Sequence, residues 1–146
     1  MVENTVVTEQ TENGKRLIEV LATAGFEVQV AFWAKPTEED KWYLYLASPF
    51  VGEKGGTMAY RFVFDLLRKN PDLWIDPFEI KLIDMNDSLT AAALSALRSR
   101  FANTPFAKAS SSPSPGMTQI GGSTLGGMSI DGAYIYPPSQ AGELVR

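Results

Sequence analysis

Asp72, Glu79 and Lys81 are the residues whose types and spacing come nearest to a catalytic set. Two carboxylates can hold a magnesium ion, and a nearby lysine can support the attacking water in the hydrolysis of nucleic acid or another phosphate ester. Only six residues separate Asp72 from Glu79, which leaves little room for a strand to carry the aspartate. Glu79 and Lys81 also alternate with apolar neighbours, as the outer face of a strand does. A magnesium-dependent hydrolase is therefore an alternative to the leading interpretation given below.

A second candidate site lies in residues 52–57, directly before the clearest predicted helix. Backbone N–H groups at a helix start can hold a phosphate or carboxylate, so Lys54, Gly55, Gly56 and Thr57 form a candidate anion site. The segment lacks the P-loop spacing, in which lysine and then serine or threonine directly follow the second glycine. A turn with Thr57 as the helix N-cap explains the same residues.

A third candidate, residues 121–127, is so rich in glycine that part of its backbone should adopt positive φ. It matches neither the dinucleotide fingerprint nor a P-loop. A mobile connection into the hairpin that follows is the favoured interpretation. A sensor of a small ligand or nucleotide, built from this segment and residues 52–57, is a further alternative.

Aromatic residues in the predicted strands form the fourth candidate, a contact surface for another protein. The interface candidates are Trp33, Tyr43, Tyr45, Tyr134 and Tyr136. Core packing is the usual role of such rings, but an interface is also expected from a strand that is aromatic on both faces, together with the exposed tyrosines that a Tyr-x-Tyr hairpin would supply. This pattern favours a binding role.

The composition excludes several kinds of chemistry. The chain has no cysteine and no histidine, which excludes disulfides, thiolate nucleophiles and metal sites built from either residue. Its net charge of −4 argues against a general nucleic-acid binder, which needs a clustered basic surface. A local basic patch could form from Arg61, Arg68, Lys69, Lys81, Arg98 and Arg100, although helix surfaces routinely carry such residues. No cofactor is indicated.

The hydrophobic periodicity predicts an α+β fold, with a small, mostly antiparallel sheet packed by about three helices. The predicted order is α-β-β-α-β-α-β-hairpin. Helices are predicted at residues 11–24, 59–67 and 89–101, and strands at residues 26–33, 42–47 and 78–83. In the third strand Phe78 should point inward. Strand 42–47 is apolar or aromatic on both faces and should be covered on both sides. The final hairpin is predicted to turn at Asp131-Gly132.

The 146 residues suffice for one domain, which we place at residues 11–137. Residues 1–10 are predicted to be a flexible polar tail, residues 103–116 an exposed Ser/Pro-rich loop, and residues 138–146 a C-terminal tail. No stretch is long and apolar enough to span a membrane, and the polar N-terminal residues do not indicate a secretory signal. The sequence therefore predicts a cytoplasmic protein.

Four segments resemble a family of small uncharacterised bacterial proteins. They are Ala31-Phe32-Trp33, Trp42-Tyr43-Leu44-Tyr45-Leu46-Ala47-Ser48-Pro49, Trp74-Ile75-Asp76-Pro77-Phe78 and Gly132-Ala133-Tyr134-Ile135-Tyr136-Pro137. The resemblance runs from about Leu17 to Pro137. It implies a bacterial cytoplasmic setting and transfers no functional residue. The missing catalytic residue types, the aromatic strands and the flexible acidic tail lead to the interpretation of a non-catalytic interaction or accessory module that binds another protein or itself and no membrane.

Overall fold

The computed structural model describes residues 8–39, 41–73, 75–103, 118–120 and 123–136. The α-helices in this part of the chain are α1 (Thr8–Thr23), α2 (Pro49–Lys54), α3 (Gly56–Lys69) and α4 (Ser88–Asn103). The strands are β1 (Val30–Pro36), β2 (Tyr43–Ala47), β3 (Ile80–Ile83), β4 (Thr118–Ile120), β5 (Ser123–Leu125) and β6 (Met128–Ile135). A short 3₁₀ helix, Pro77–Glu79, precedes β3. The predicted α+β class is confirmed.

The described strands form one sheet in the order β3-β2-β1-β6-β4, and β5 also pairs with β6. β2 and β3 are parallel, and the other pairs are antiparallel. A parallel pair needs a crossover connection, because the chain must return to the same end of the sheet before it starts the second strand. α2 and α3 lie in that connection. β3 is the first strand in the order of the described sheet and therefore forms an edge, in contact with α3.

Helices cover both faces of this sheet. One core cluster packs α1 and α3 against the first face through residues that include Leu17, Val63 and Trp33. The other cluster packs α4 against the second face through residues that include Ala93 and Phe32. Every residue of β1 is buried as a result. A central strand between two helical layers has no solvent-facing side, which explains its almost unbroken apolar sequence.

The second strand has the two-sided burial that its sequence predicts. Trp42, Leu44 and Leu46 belong to the first core cluster, whereas Tyr45 and Ala47 belong to the second. β2 lies between β1 and β3, so backbone partners flank it on both edges. The prediction that this strand is covered on both sides is confirmed.

α3 is the clearest amphipathic helix, as predicted. Its buried residues Ala59, Val63 and Leu67 are spaced by one helical turn and so face the sheet together. The predicted N-cap is wrong, because Gly55 occupies that position with φ +90° and no side chain caps the N-terminus of the helix. Thr57 instead lies within the first turn.

The predicted hairpin turn at Asp131-Gly132 is wrong. Both residues lie within β6, and the two-residue turn between β5 and β6 is Gly126-Gly127. These glycines have φ +60° and +87°, as the favoured two-residue hairpin turn requires at both central positions. Positive φ in the glycine-rich segment is therefore confirmed. Asp131 stays inside the strand, where its carboxylate accepts a hydrogen bond of 2.9 Å from Lys35 Nζ.

Phe78 does not point inward, because the residues before β3 form a 3₁₀ helix and not a strand. The Asp76 side chain caps this helix by accepting a hydrogen bond of 3.0 Å from the Phe78 backbone N–H, and Pro77 is its first residue. β3 therefore begins only at Ile80. The Phe78 side chain is left 80% exposed.

Several predictions fall on residues outside the described ones, including most of the N-terminal tail, the Ser/Pro-rich loop after Asn103 and the C-terminal tail. α1 begins at Thr8, three residues earlier than predicted. None of the helices in the described part of the chain combines the length and apolar character needed to cross a bilayer.

Candidate functional site

The three candidate catalytic side chains have different partners. Asp72 pairs with Arg16 of α1. Glu79 Oε2 lies 3.8 Å from Lys41 Nζ, and the ammonium group of Lys81 lies 4.7 Å from the centre of an aromatic ring in β2. Among the described residues, no three carboxylates lie close enough together to hold a metal ion. The carboxylates are therefore engaged in separate ion pairs.

The pKa values of the two carboxyl groups shift in opposite directions. Burial, followed by repulsion from Asp76, raises the pKa of Glu79, and Lys41 opposes this effect. The hydrogen bond from Arg16 lowers the pKa of the exposed Asp72 carboxyl group. Burial accounts for the first shift and a surface ion pair for the second, so the shifts do not identify an acid and base pair.

Four of the five aromatic interface candidates are buried. Trp33, Tyr45, Tyr134 and Tyr136 each expose 6% or less of their surface, whereas Tyr43 is partly exposed. These four rings therefore offer almost no exposed surface to a partner, because helices cover both faces of the sheet that carries them. Alternation along a strand assigns residues to two faces but does not tell whether a second helical layer covers the outer one.

Two of these rings form a buried hydrogen-bonded chain between the sheet and α1. Trp33 Nε1 donates to the Tyr136 hydroxyl at 3.0 Å, and this hydroxyl donates to the Thr11 carbonyl oxygen at 2.7 Å. Burial raises the pKa of Tyr136. The indole N–H of Trp33 and the hydroxyl group of Tyr136 therefore both have hydrogen-bond partners within the protein. The two hydrogen bonds hold α1 against the sheet.

The other two buried rings pack against aromatic neighbours. Trp42 and Tyr134 have ring centroids 5.6 Å apart, and Phe32 stacks on Tyr45 at 5.0 Å. Burial raises the pKa of Tyr45 to about 12. These contacts are typical of aromatic packing within a core.

The candidate anion segment joins α2 to α3. Lys54 is the last residue of α2, Gly55 is the N-cap of α3, and Gly56 and Thr57 start its first turn. All four residues are exposed. The first N–H groups of a helix have no partner within it, and no side chain caps this helix. The structure therefore brings these residues together at an uncapped helix N-terminus.

Two of these residues lie at one end of a wide-open surface depression along one side of α3, which we call the α3 groove. Its volume is about 750 Å³, and its lining residues are Gly56, Thr57, Tyr60, Arg61, Phe64, Asp65 and Arg68. The ring centroids of Tyr60 and Phe64 are 5.7 Å apart. The predicted basic patch contains Arg61 and Arg68, but the sequence analysis did not connect them with the rings at helical spacing.

The α3 groove lies beside the edge strand of the sheet. The Tyr60 hydroxyl accepts a hydrogen bond of 3.0 Å from the backbone N–H of Leu82 in β3. An edge strand presents N–H groups without strand partners, and Tyr60 satisfies one of them. Phe78, which the sequence analysis placed in the core, lies two residues before this strand and is exposed.

The two glycine-rich segments pack against the connection between β3 and α4. A Cβ on Gly52 would lie 3.3 Å from the Asp84 carboxylate, and one on Gly126 would lie 2.9 Å from the Ser88 carbonyl oxygen. Close approach to backbone atoms and a positive φ therefore account for glycine at position 126, whereas a Cβ at position 52 would need only a small shift of the Asp84 side chain. Gly121 and Gly122 lie outside the described residues.

Comparison of the chain with protein-family models, curated proteins and solved structures found no match. The resemblance to a bacterial family stays a prediction.

Proposed function

We propose that this chain is a non-catalytic protein-interaction module that binds its partner through the α3 groove and the adjoining start of β3. The observation that supports the proposal most directly is Phe78, a large apolar side chain that is 80% exposed. Its backbone is fixed by Pro77 and by the hydrogen bond to Asp76. An aromatic side chain presented on a fixed backbone loses little conformational entropy on binding, which suits it as an interface anchor.

Phe78 and the α3 groove are close enough to belong to one interface. Four residues of extended chain span at most about 14 Å, which limits the distance from Phe78 to Leu82. The Leu82 N–H lies 3.0 Å from the Tyr60 hydroxyl, at the wall of the groove. A standard interface buries about 800 Å² on each partner, a patch roughly 30 Å across. One partner of ordinary size can therefore cover both features.

The setting that we propose is the cytoplasm. An oxidising compartment stabilises proteins by allowing disulfides to form, and this chain has no cysteine with which to form one. The partner in this proposal is a second protein.

A comparison of two single variants tests the interaction. Tagged wild-type chain, Phe78→Ser and Met58→Ser are used to capture proteins from native lysate, and the captured proteins are quantified by mass spectrometry. Met58 is the matched control, because it is also an exposed large apolar residue, at 49%, and does not line the groove. We expect a stoichiometric partner whose recovery falls at least about tenfold with Phe78→Ser and stays within about twofold with Met58→Ser.

Recovery of the chain alone, or equal recovery of the same protein with both variants, would refute the proposed function. Size-exclusion chromatography with light scattering identifies self-association separately. Because both substitutions replace exposed residues, we expect the melting temperatures of both variants to match that of the wild type within about 3 °C.

A further inference from the structure

The α3 groove has the length of a short peptide segment. Its lining runs from Gly56 to Arg68 along one side of a single helix, so it is about 18 Å long at 1.5 Å per residue. An extended chain covers this length with about five or six residues. The groove is therefore short enough for one segment of a partner to fill it.

The charged groups of the groove favour an acidic occupant. Arg61 is exposed and has no ion pair among the described residues, whereas Arg68 pairs with Asp65, the single acidic residue of the lining. This pair joins two exposed side chains and is therefore weak and easily exchanged for another carboxylate. The uncapped start of α3 adds partial positive charge at the end of the groove formed by Gly56.

The aromatic groups of the groove favour an occupant that is also apolar. Tyr60 and Phe64 are partly buried and contact each other along the helix. Both rings pack partly against the first core cluster, and their remaining exposed surfaces, on the same side of α3 as Arg61 and Arg68, would gain from apolar contact. Nucleic acid fits less well, because the whole chain has a net charge of −4 and would repel a long polyanion.

We infer that the α3 groove binds a short segment of the partner protein in which acidic and apolar side chains alternate. The inference rests on the proposed function and names the chemistry of the partner at this site. Carboxylates of the segment pair with Arg61 and Arg68, and its apolar side chains pack on Tyr60 and Phe64.

The test uses a labelled peptide of six residues in which glutamate and leucine alternate, blocked at both ends, and the same peptide with glutamine in place of glutamate. Binding to the full chain is measured by fluorescence anisotropy at low and at physiological salt. We expect the acidic peptide to bind at least about tenfold more tightly than the neutral one. Arg61→Glu should weaken its binding at least about tenfold, because the substitution reverses the charge at the groove.

Lys69→Glu is the matched control. Lys69 is exposed on the same helix but does not line the groove, so the same change of charge there should alter binding by no more than about twofold. Equal binding of the two peptides, or equal effects of the two charge reversals, would overturn the inference. A single-stranded oligonucleotide that binds as tightly as the acidic peptide would also overturn the inference. Self-association of the chain without peptide would do the same, if Arg61→Glu abolishes it.

Failure of the inference about the α3 groove can be distinguished from failure of the proposed function. A partner whose capture is lost with Phe78→Ser but unchanged with Arg61→Glu would leave the interaction module intact and place its contact outside the α3 groove.

Discussion

The backbone of Gly14 in α1 lies directly against the hydroxyl group of Tyr136. A Cβ at position 14 would overlap with this hydroxyl and would also lie 3.2 Å from the indole nitrogen of Trp33. Glycine is otherwise unfavourable inside a helix, by up to about 1 kcal/mol relative to alanine. Its presence at this position allows α1 to approach the hydrogen-bonded pair on the sheet.

Gly14→Ala should therefore destabilise the fold although it raises helix propensity. Overpacking costs about 1–3 kcal/mol, of which the gain in propensity offsets up to about 1 kcal/mol. We expect a net loss in the free energy of unfolding, measured by urea denaturation. Gly56→Ala is the matched control, because an added Cβ there meets no atom within 4 Å and φ is not positive. A Gly14→Ala variant as stable as wild type would contradict this packing.

Tyr136→Phe should couple with Gly14→Ala. Alone, the loss of the hydroxyl leaves the buried Trp33 N–H without its acceptor and costs about 1–3 kcal/mol. In the Gly14→Ala background the same change also removes the overlap and should cost less. A double-mutant cycle of urea denaturation measures this coupling, and strictly additive effects would contradict it.

Asp131 should make the stability of the fold depend on pH in the acid range. The hydrogen bond from Lys35 lowers the pKa of the Asp131 carboxyl group below its ordinary value of 3.8. A carboxyl group whose pKa is lowered by folding stabilises the folded state fully at pH values well above 3.8. This stabilisation is lost as the pH falls through the pKa that the group has in the folded state. Asp131→Asn should therefore be less stable than wild type at pH 7, and the difference should shrink at pH 3.

Thermal unfolding at both pH values tests this prediction. Glu38→Gln is the control, because it removes an exposed carboxylate just after β1 and should change the free energy of unfolding by less than about 0.5 kcal/mol. A difference between wild type and Asp131→Asn that does not change with pH would show that the charge of Asp131 is not responsible.

Tyr45 should make the fold sensitive to alkali. Burial raises its pKa from 10.0 to about 12, so between these values the unfolded chain loses a proton that the folded chain keeps. Stability therefore falls as the pH rises above 10. The Tyr45 hydroxyl is 3.9 Å from the sulfur of Met128, a weak contact, so Tyr45→Phe should cost less than about 1 kcal/mol at pH 7. We expect urea denaturation between pH 9 and pH 11 to show a smaller loss of stability for this variant than for wild type, and parallel curves would contradict the assignment.

Tyr60 should protect the edge of the sheet. Tyr60→Phe removes the acceptor of the Leu82 N–H, which should cost about 0.5–1.5 kcal/mol and accelerate hydrogen exchange at this amide. Tyr43→Phe is the control, because its hydroxyl donates to Glu39 on an exposed surface. Unchanged exchange at Leu82 in the Tyr60 variant would mean that another group satisfies this N–H.

The elements with a strong local pattern could be predicted from the sequence. The one-turn spacing of Ala59, Val63 and Leu67 identifies α3, and the two-sided apolar pattern of β2 identifies a covered strand. These patterns are visible because each is repeated within one element. The α+β class follows from the order of such elements.

Other features depend on contacts that are distant in sequence. Asp131-Gly132 has the composition of a hairpin turn, yet Lys35 and its neighbours on β1 pair with this segment and hold it in a strand. Phe78 follows the alternation of a strand, but the local cap from Asp76 turns it outward. The α3 groove joins Gly56 and Thr57 of the candidate anion site with Arg61 and Arg68 of the predicted basic patch, because helical spacing and proximity to β3 become evident only in the folded chain.

The position of β1 between β2 and β6 has a consequence for biosynthesis. β2 follows β1 within a few residues, but Phe32 pairs with Ile135, roughly 100 residues later, which takes a ribosome about 5–20 s to add. Until then the N–H and C=O groups along one edge of this apolar strand have no partner strand and can pair with those of another nascent chain. Pairing over such a long separation also slows folding. We therefore expect chains truncated before β6 to accumulate in inclusion bodies. We also expect the yield of folded protein to depend on chaperones that keep the first strands from aggregating until β6 has been synthesised.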